Sequence, residues 1–564
     1  MRSPRIRGVI GLTMALAMVL TACGSGEAPP AATDESSEPA DESEDAESTD
    51  EDGDEALEET PDDGPAAYLG EIRYHDDDYD EQEPQHGGTL RFLARLDADQ
   101  PDPHVGTDTT AIIAGALVYE GLVENVRGEV EPLLAESWDI SDDALTYTFN
   151  LREDVVFHSG RPMDASDVVY SLERVKDPDT GSPNAASYSD IESVEAPDPD
   201  TVVITLSQPF APLLFLLSAL SSSVVDREVV EDGGLSSPPG GGTGAFMFEE
   251  HNIGRDLILT AHDDYWHPEL PYLDGIEFTW NPDDNARAAA IRSGSADLLF
   301  SPAPTFMDAL QNDPDLKWYG GSGSLSLHLL LNTQREPFDD ERVRQAIYHA
   351  LDRQELLDVA NEGHGVPLNG GYLPPDRWGG LEEPVYGEPD LDRARELLAE
   401  AGYEDGFEAE LTVIGTSAFQ LRQAEVEQQQ LAEIGIDITL NPVDAAVSRD
   451  LTDSGEFDMY QSGFGLRADP DERFTAAFTT DGGLNWAGWS DEEFDSLIEE
   501  ARRIPEQEER AELYEQADRI LAERGPAAFT ILTASYDVVT EDVMGYSYDP
   551  TPSFSIYKNL WFAN

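Results

Sequence analysis

The chain has 564 residues, 40% of them hydrophobic, enough for several separate cores, and its 46 glycines and 37 prolines fit a globular α/β protein better than a fibre or a disordered polymer. A formal net charge of −84 repels phosphate backbones and excludes nucleic acid as a partner. A single cysteine excludes an intramolecular disulfide, so stability must come from buried apolar surface.

Read in chain order, the first 22 residues form an export signal. Arg2, Arg5 and Arg7 precede an uncharged apolar run from Gly8 to Ala22, and a small residue stands before Cys23. That run falls short of the roughly 20 residues a membrane span needs. The pattern resembles a lipoprotein signal, in which Cys23 becomes the acylated N-terminus and holds the protein on the extracytoplasmic face of the cell membrane.

Residues 23–85 carry 25 Asp and Glu against one Arg, with few aliphatics. Such a stretch buries too little surface to fold and reads as an acidic, extended tether. The remainder, 86–564, holds 92 acids against 29 bases, of which only Lys176, Lys317 and Lys558 are lysine. A surface rich in carboxylate and poor in lysine points to adaptation to high salt, where screening tempers self-repulsion.

From His86 the texture alternates between strands and helices. Strands are expected at 87–96, at 144–151 with Tyr147, Phe149 and Leu151 on one face, at 201–206 and at 256–261, and a Gly/Pro-rich loop at 236–244. The second half predicts one helix over 338–363 behind an Asp cap, a second over 390–402 and a third near 419–434. The third feeds a strand at 436–440. Ser490 with Glu493 reads as a capping box opening a further helix, and Pro505 starts another that runs to about Arg524. Helices and strands in close succession argue for wound α/β lobes.

Motifs for covalent chemistry are missing. None of the three lysines follows a glycine, so there is no phosphate-binding loop of the Walker type. Ser555 and Lys558 share an S-x-x-K spacing without the companion motifs of that chemistry. The ten histidines are scattered, and His262 and His267 are poorly spaced for one helical face. No enzyme activity, metal or cofactor is expected.

The segment "LLAESWDISDDALTYTFNLREDVVFHSGRPMDASDVVYSLERV" (133–175) resembles the extracytoplasmic solute-binding proteins that serve ABC importers of dipeptides, oligopeptides and nickel. The likeness continues at "GTGAF" (242–246), 329–357, 390–407 and "FDMYQSGFG" (457–465), in family order. The tight turn "FHSG" uses Gly160 for backbone freedom and His158 for local hydrogen bonds.

The resemblance implies an α/β, two-lobed, type II periplasmic-binding-protein-like fold with an additional domain inserted in the first lobe. The first lobe would take 86–118, 225–325 and 530–564, the inserted domain 119–224 and the second lobe 326–529. Hinge strands would lie near Leu325–Asn332 and Ala528–Thr533. The implied partners are a peptide or peptide-like solute and the importer's permease and ATPase subunits, with the protein itself a monomer. Nickel or a metal chelate is the alternative ligand, and a non-transport adhesion or signalling lipoprotein the alternative role.

Expected ligand contacts follow from the same likeness. Relatives carry an aspartate for the peptide amino group where "GFGLRADPDERF" (463–474) has Leu466 and Arg467, so Arg467 would hold an acidic group of the ligand or else pair with a surface acid. Phe464 replaces a tryptophan, while Trp486 and Trp489 lie in the loop that covers the cleft in relatives. Phe419 and Gln420 occupy a carboxylate-contact position without its arginine, and Arg95 and Asp102 lie at the exit of the first strand.

Overall fold

In the computed structural model the structure describes residues 82–563, apart from 99, 236–237, 239, 369, 376 and 549–553. Cys23 and nearly all of the acidic stretch therefore lie outside the described residues. One eleven-stranded sheet runs through both halves of the body. Its order is Ile436–Val443, Phe407–Ile414, Met459–Gly465, Leu316–Leu331, Ala527–Thr540, Leu298–Phe300, Thr89–Ala94, Gly275–Trp280, Asp256–Ala261 and Phe246–Asn252, with Gly365–Pro367 also paired to Ala527–Thr540.

Two long antiparallel strands, Leu316–Leu331 and Ala527–Thr540, belong to both halves. Their register slips in the middle: Ser322 faces Ala534, but Ser326 faces Leu532, so four residue steps oppose two. Extra residues on one strand bend the ladder and deepen its twist. Gly323 fits there because a Cβ on it would lie 2.3 Å from the Thr533 carbonyl oxygen.

On one side of this irregularity Phe92, Phe278, Leu298, Val539 and Tyr557 share a core. On the other side two cores cover the two faces of the sheet, one around Leu329, Ile347, Leu411 and Leu431, the other around Phe464, Phe474, Phe529 and Tyr514. A separate antiparallel sheet, Ala135–Ile140, Thr146–Leu151, Thr201–Leu206 and Ile191–Asp198, packs against helix Ala165–Lys176. In Thr146–Leu151 the alternation holds, since Tyr147, Phe149 and Leu151 all point into that core.

Two local expectations are corrected. The helix over 338–363 is two helices, Glu341–Ala350 and Arg353–Ala360, because Leu351 is extended and the Asp352 carboxylate accepts from the Glu355 N–H at 2.9 Å, starting a new helix. Buried Arg353 fixes the corner by donating to the carbonyls of Tyr348, Leu351 and Phe529. Helix Glu492–Ala501 is capped by Asp491, which accepts from the Glu493 and Phe494 N–H groups at 3.0 Å each. The Ser490 hydroxyl pairs instead with Thr480.

Candidate functional site

The first strand, Thr89–Ala94, leads into helix Thr109–Val118, which Asp108 caps by accepting from the Ala111 N–H at 2.7 Å. This helix and the four-stranded domain form one wall of a cavity of about 930 Å³, and the segment around 466–484 of the second lobe forms the other. The size suits a small organic solute. Ile112, Phe215, Leu216, Leu220, Leu484 and Phe554 supply apolar lining.

The charged groups of the lining are largely committed to partners. Glu120 is buried and accepts from the Thr243 hydroxyl at 2.8 Å, the Tyr265 hydroxyl at 2.7 Å and the Trp266 indole at 3.1 Å. Burial pushes its carboxyl up, against the pull of Lys558 and these donors. Glu124 accepts from Ser555 at 3.0 Å and Lys558 at 3.1 Å, which gives that S-x-x-K pair a structural role tying the C-terminal segment to the strand Val123–Val126.

Across the cavity, Asp469 caps helix Pro470–Phe478 and pairs with buried Arg510 at 2.7 Å. Asp471, two residues on in the first turn, is wholly buried, and desolvation pushes it up to about 7 although Arg502 pulls it down. Arg502 reaches Asp190 at 3.4 Å, and Asp190 also accepts from Gln208 at 2.9 Å. Arg467 is half-exposed and uses only its Nε, which donates to Glu472 at 2.9 Å. Its two terminal nitrogens form no hydrogen bond among the described residues and remain a donor fork at the cavity wall.

Of the eight ligand contacts expected from sequence, Arg467 alone lines this cavity. Alternation along Met459–Gly465 turns Phe464 into the core, where its ring lies 4.9 Å from His328 and 5.6 Å from Trp486. Trp486 is half-buried against Phe464 and Tyr460, with the Arg449 guanidinium 5.6 Å above it. Trp489 pins its loop: its ring packs on Phe494 and its backbone N–H donates to the Asn485 side chain at 3.0 Å.

Phe419 packs on the second-lobe core, and Gln420 belongs to the first turn of helix Ala418–Ala432, where its N–H meets the Ser417 hydroxyl. Arg95 is tied to Asp284 at 2.7 Å, and Asp102 to Arg174 at 2.7 Å. Arg95 thus pairs within the first lobe, whereas the Asp102–Arg174 pair ties that lobe to the inserted domain. Glu120, Asp190 and Arg502 were not singled out from sequence, because nothing local marks residues whose partners lie more than 100 positions away. His158 keeps the structural role expected of it, hydrogen-bonding the Gly244 carbonyl at 3.0 Å. Among the described residues no group of three or more His, Cys, Asp or Glu side chains could hold a metal ion.

Residues 129–486 match the family model of bacterial extracellular solute-binding proteins, family 5. The chain is 31% identical over 466 residues to heme-binding protein A of Haemophilus influenzae, covering 77% of this chain and 85% of that protein. It is 30% identical over 486 residues to di/tripeptide-binding protein 1 of Pseudomonas aeruginosa, covering 80% and 90%. Among solved structures it resembles the periplasmic binding protein DppA from Helicobacter pylori in complex with the peptide STSA, with a TM-score of 0.73, 30% identity and coverage of 85% and 98%. The expected two-lobed α/β architecture of type II binding proteins is thus the one this chain adopts.

Proposed function

Since the chain belongs to the bacterial extracellular solute-binding proteins of family 5, we propose that it captures a peptide or peptide-like solute in the cavity between helix Thr109–Val118, the inserted domain and the second lobe, and delivers it to the permease of an ABC importer. The observation that carries this reading is a cavity of about 930 Å³ whose walls come from both sides of the crossing strands, so that relative rotation of the lobes opens or closes it. The irregularity at Ser322–Ser326 is the hinge in this reading. A solute that touches both walls stabilises the closed state by its differential contacts. Arg467 offers its free fork to a carboxylate of the solute, and the apolar lining accepts side chains without demanding one identity. Cys23 carries the lipid, the acidic stretch after it spaces the body from the membrane, and the charge balance suits a saline habitat.

Mass spectrometry of material released from the natively purified protein, followed by thermal-shift titration with short peptides, heme and a nickel chelate, tests the reading. Short peptides are expected to raise the melting temperature as a ligand bound only by the native state must. Arg467→Ala is expected to weaken a carboxylate-bearing peptide by about 1.5–3 kcal/mol. An unchanged dissociation constant removes Arg467 from the site, and stabilisation by heme or the nickel chelate alone overturns the peptide assignment.

A further inference from the structure

In helix Pro470–Phe478, Asp471, Glu472 and Thr475 line the cavity, while Arg473 is buried behind them with Phe474 and Phe478. The Arg473 guanidinium lies 4.9 Å from the centre of the Phe464 ring, a cation–π contact. Its polar neighbour is the Tyr372 hydroxyl, which itself donates to the Gly465 carbonyl at 2.7 Å. Among the described residues Arg473 forms no ion pair, and its Nε has no hydrogen-bond partner. The indole N–H of Trp486, whose ring packs 5.6 Å from Phe464, is unpartnered as well. Buried charges are normally paired, because desolvation costs more than any neutral neighbour returns. Here a guanidinium is buried without an acid in a chain that carries 117 Asp and Glu against 33 Lys and Arg.

A second cation stands beside it. Burial pushes Arg473 down, Tyr372 opposes that, and the charge of Arg467 adds to it. One exposed acid, Glu472, bound to the Arg467 Nε at 2.9 Å, faces both guanidinium groups. The other acids of this wall are committed elsewhere, Asp469 to Arg510 at 2.7 Å and Asp471 to Arg502 at 3.5 Å. The wall is therefore locally positive in a molecule of net charge −84. Taking the cavity as the capture site, we propose that Arg467 and Arg473 select a peptide-like acid, a solute with more carboxylates than amino groups. Arg467 binds the anionic group with its free fork. Arg473, one layer behind, is the specificity-determining residue, since its unneutralised charge acts on that group through a low-dielectric wall. An anion relieves the repulsion between the two guanidinium groups, a neutral solute leaves it, and a cationic one adds to it.

Calorimetric titration of the full chain with alanylglutamate, alanylalanine, alanyllysine and the dicarboxylate glutarate tests the pair. Alanylglutamate is expected to bind tightest of the three dipeptides and alanyllysine weakest. Arg473→Gln is expected to cut the preference for alanylglutamate over alanylalanine by about tenfold, whereas Arg473→Lys, which keeps the charge, retains most of it. A merely structural Arg473 would weaken both dipeptides alike, so an unchanged ratio in Arg473→Gln overturns the inference. Arg467→Gln, at a half-exposed residue outside the core, is expected to lower the same ratio and decides the matter if the Arg473 variants do not fold. Equal affinity of the unaltered protein for alanylglutamate and alanylalanine overturns the inference while peptide capture stands. Glutarate binding that weakens in Arg473→Gln, with no dipeptide bound, supports the arginine pair and overturns the peptide reading alone. If neither anionic probe binds, the inference falls.

Discussion

Glu427 lies wholly inside the second lobe, where its carboxyl accepts from Gln423 at 3.1 Å and faces the Gln461 amide, and desolvation pushes it up to about 8. It has company. Burial pushes Asp518 up to about 8, Asp471 to about 7 and Asp537 to about 6. Each takes up a proton at higher pH in the folded protein than in the unfolded chain, where carboxyls titrate near 4. Between pH 4 and 8 the native state therefore binds more protons, and stability falls as pH rises through the folded values. The melting temperature is expected to climb when the buffer is changed from pH 8 to pH 5. Glu427→Gln, nearly the same shape without a charge, is expected to flatten that slope and to stabilise the protein at pH 8. A melting temperature that rises with pH over this range contradicts the account. None of these carboxyls stood out in a sequence with 117 acids, because burial is a property of the packed lobe.

At the scale of single elements, the strands and most helices were legible because each carries its own period. Thr201–Leu206 and Asp256–Ala261 fall where alternation places them. The break at Asp352 was missed for a tertiary reason, since the apolar stripe continues through it and the corner is held by Arg353 reaching into the neighbouring strand. The irregularity in Leu316–Leu331 was equally hidden, because it is a mismatch between two segments about 200 residues apart. Gly323 is its most constrained point. Gly323→Ala sets a methyl group 2.3 Å from the Thr533 carbonyl, so the strands must spread. A loss of about 1–3 kcal/mol is expected in denaturant unfolding, with far-UV circular dichroism unchanged. Unaltered stability would show that the crossing strands have slack to give.

For the molecule as a whole, family likeness and α/β texture were readable, whereas the cavity was not: its walls draw on segments near 112, 215, 484 and 554 that only the fold brings together. The charge of −84 acts at this scale too. Screening shortens the reach of like-charge repulsion from about 10 Å at 0.1 M salt to about 3 Å at 1 M. Raising sodium chloride over that range is expected to increase the melting temperature; a decrease would count against self-repulsion as the main electrostatic cost. A last consequence follows from where the strand Thr89–Ala94 sits. It pairs with Gly275–Trp280 and with Leu298–Leu299, the latter strand pairs in turn with Ala527–Thr540, Leu298 opposite Val539, and the core they share is completed by Tyr557 and Leu560. The buried core residues of the four-stranded domain all come from 122–224, with Trp266 packed against them from outside. A chain emerging from its N-terminus can therefore finish its middle early, while the core behind the opening strand, which finds its strand partners only at 275–299, is completed when almost the last residues arrive. The order of assembly runs from the inside of the sequence outward, and the first lobe closes last.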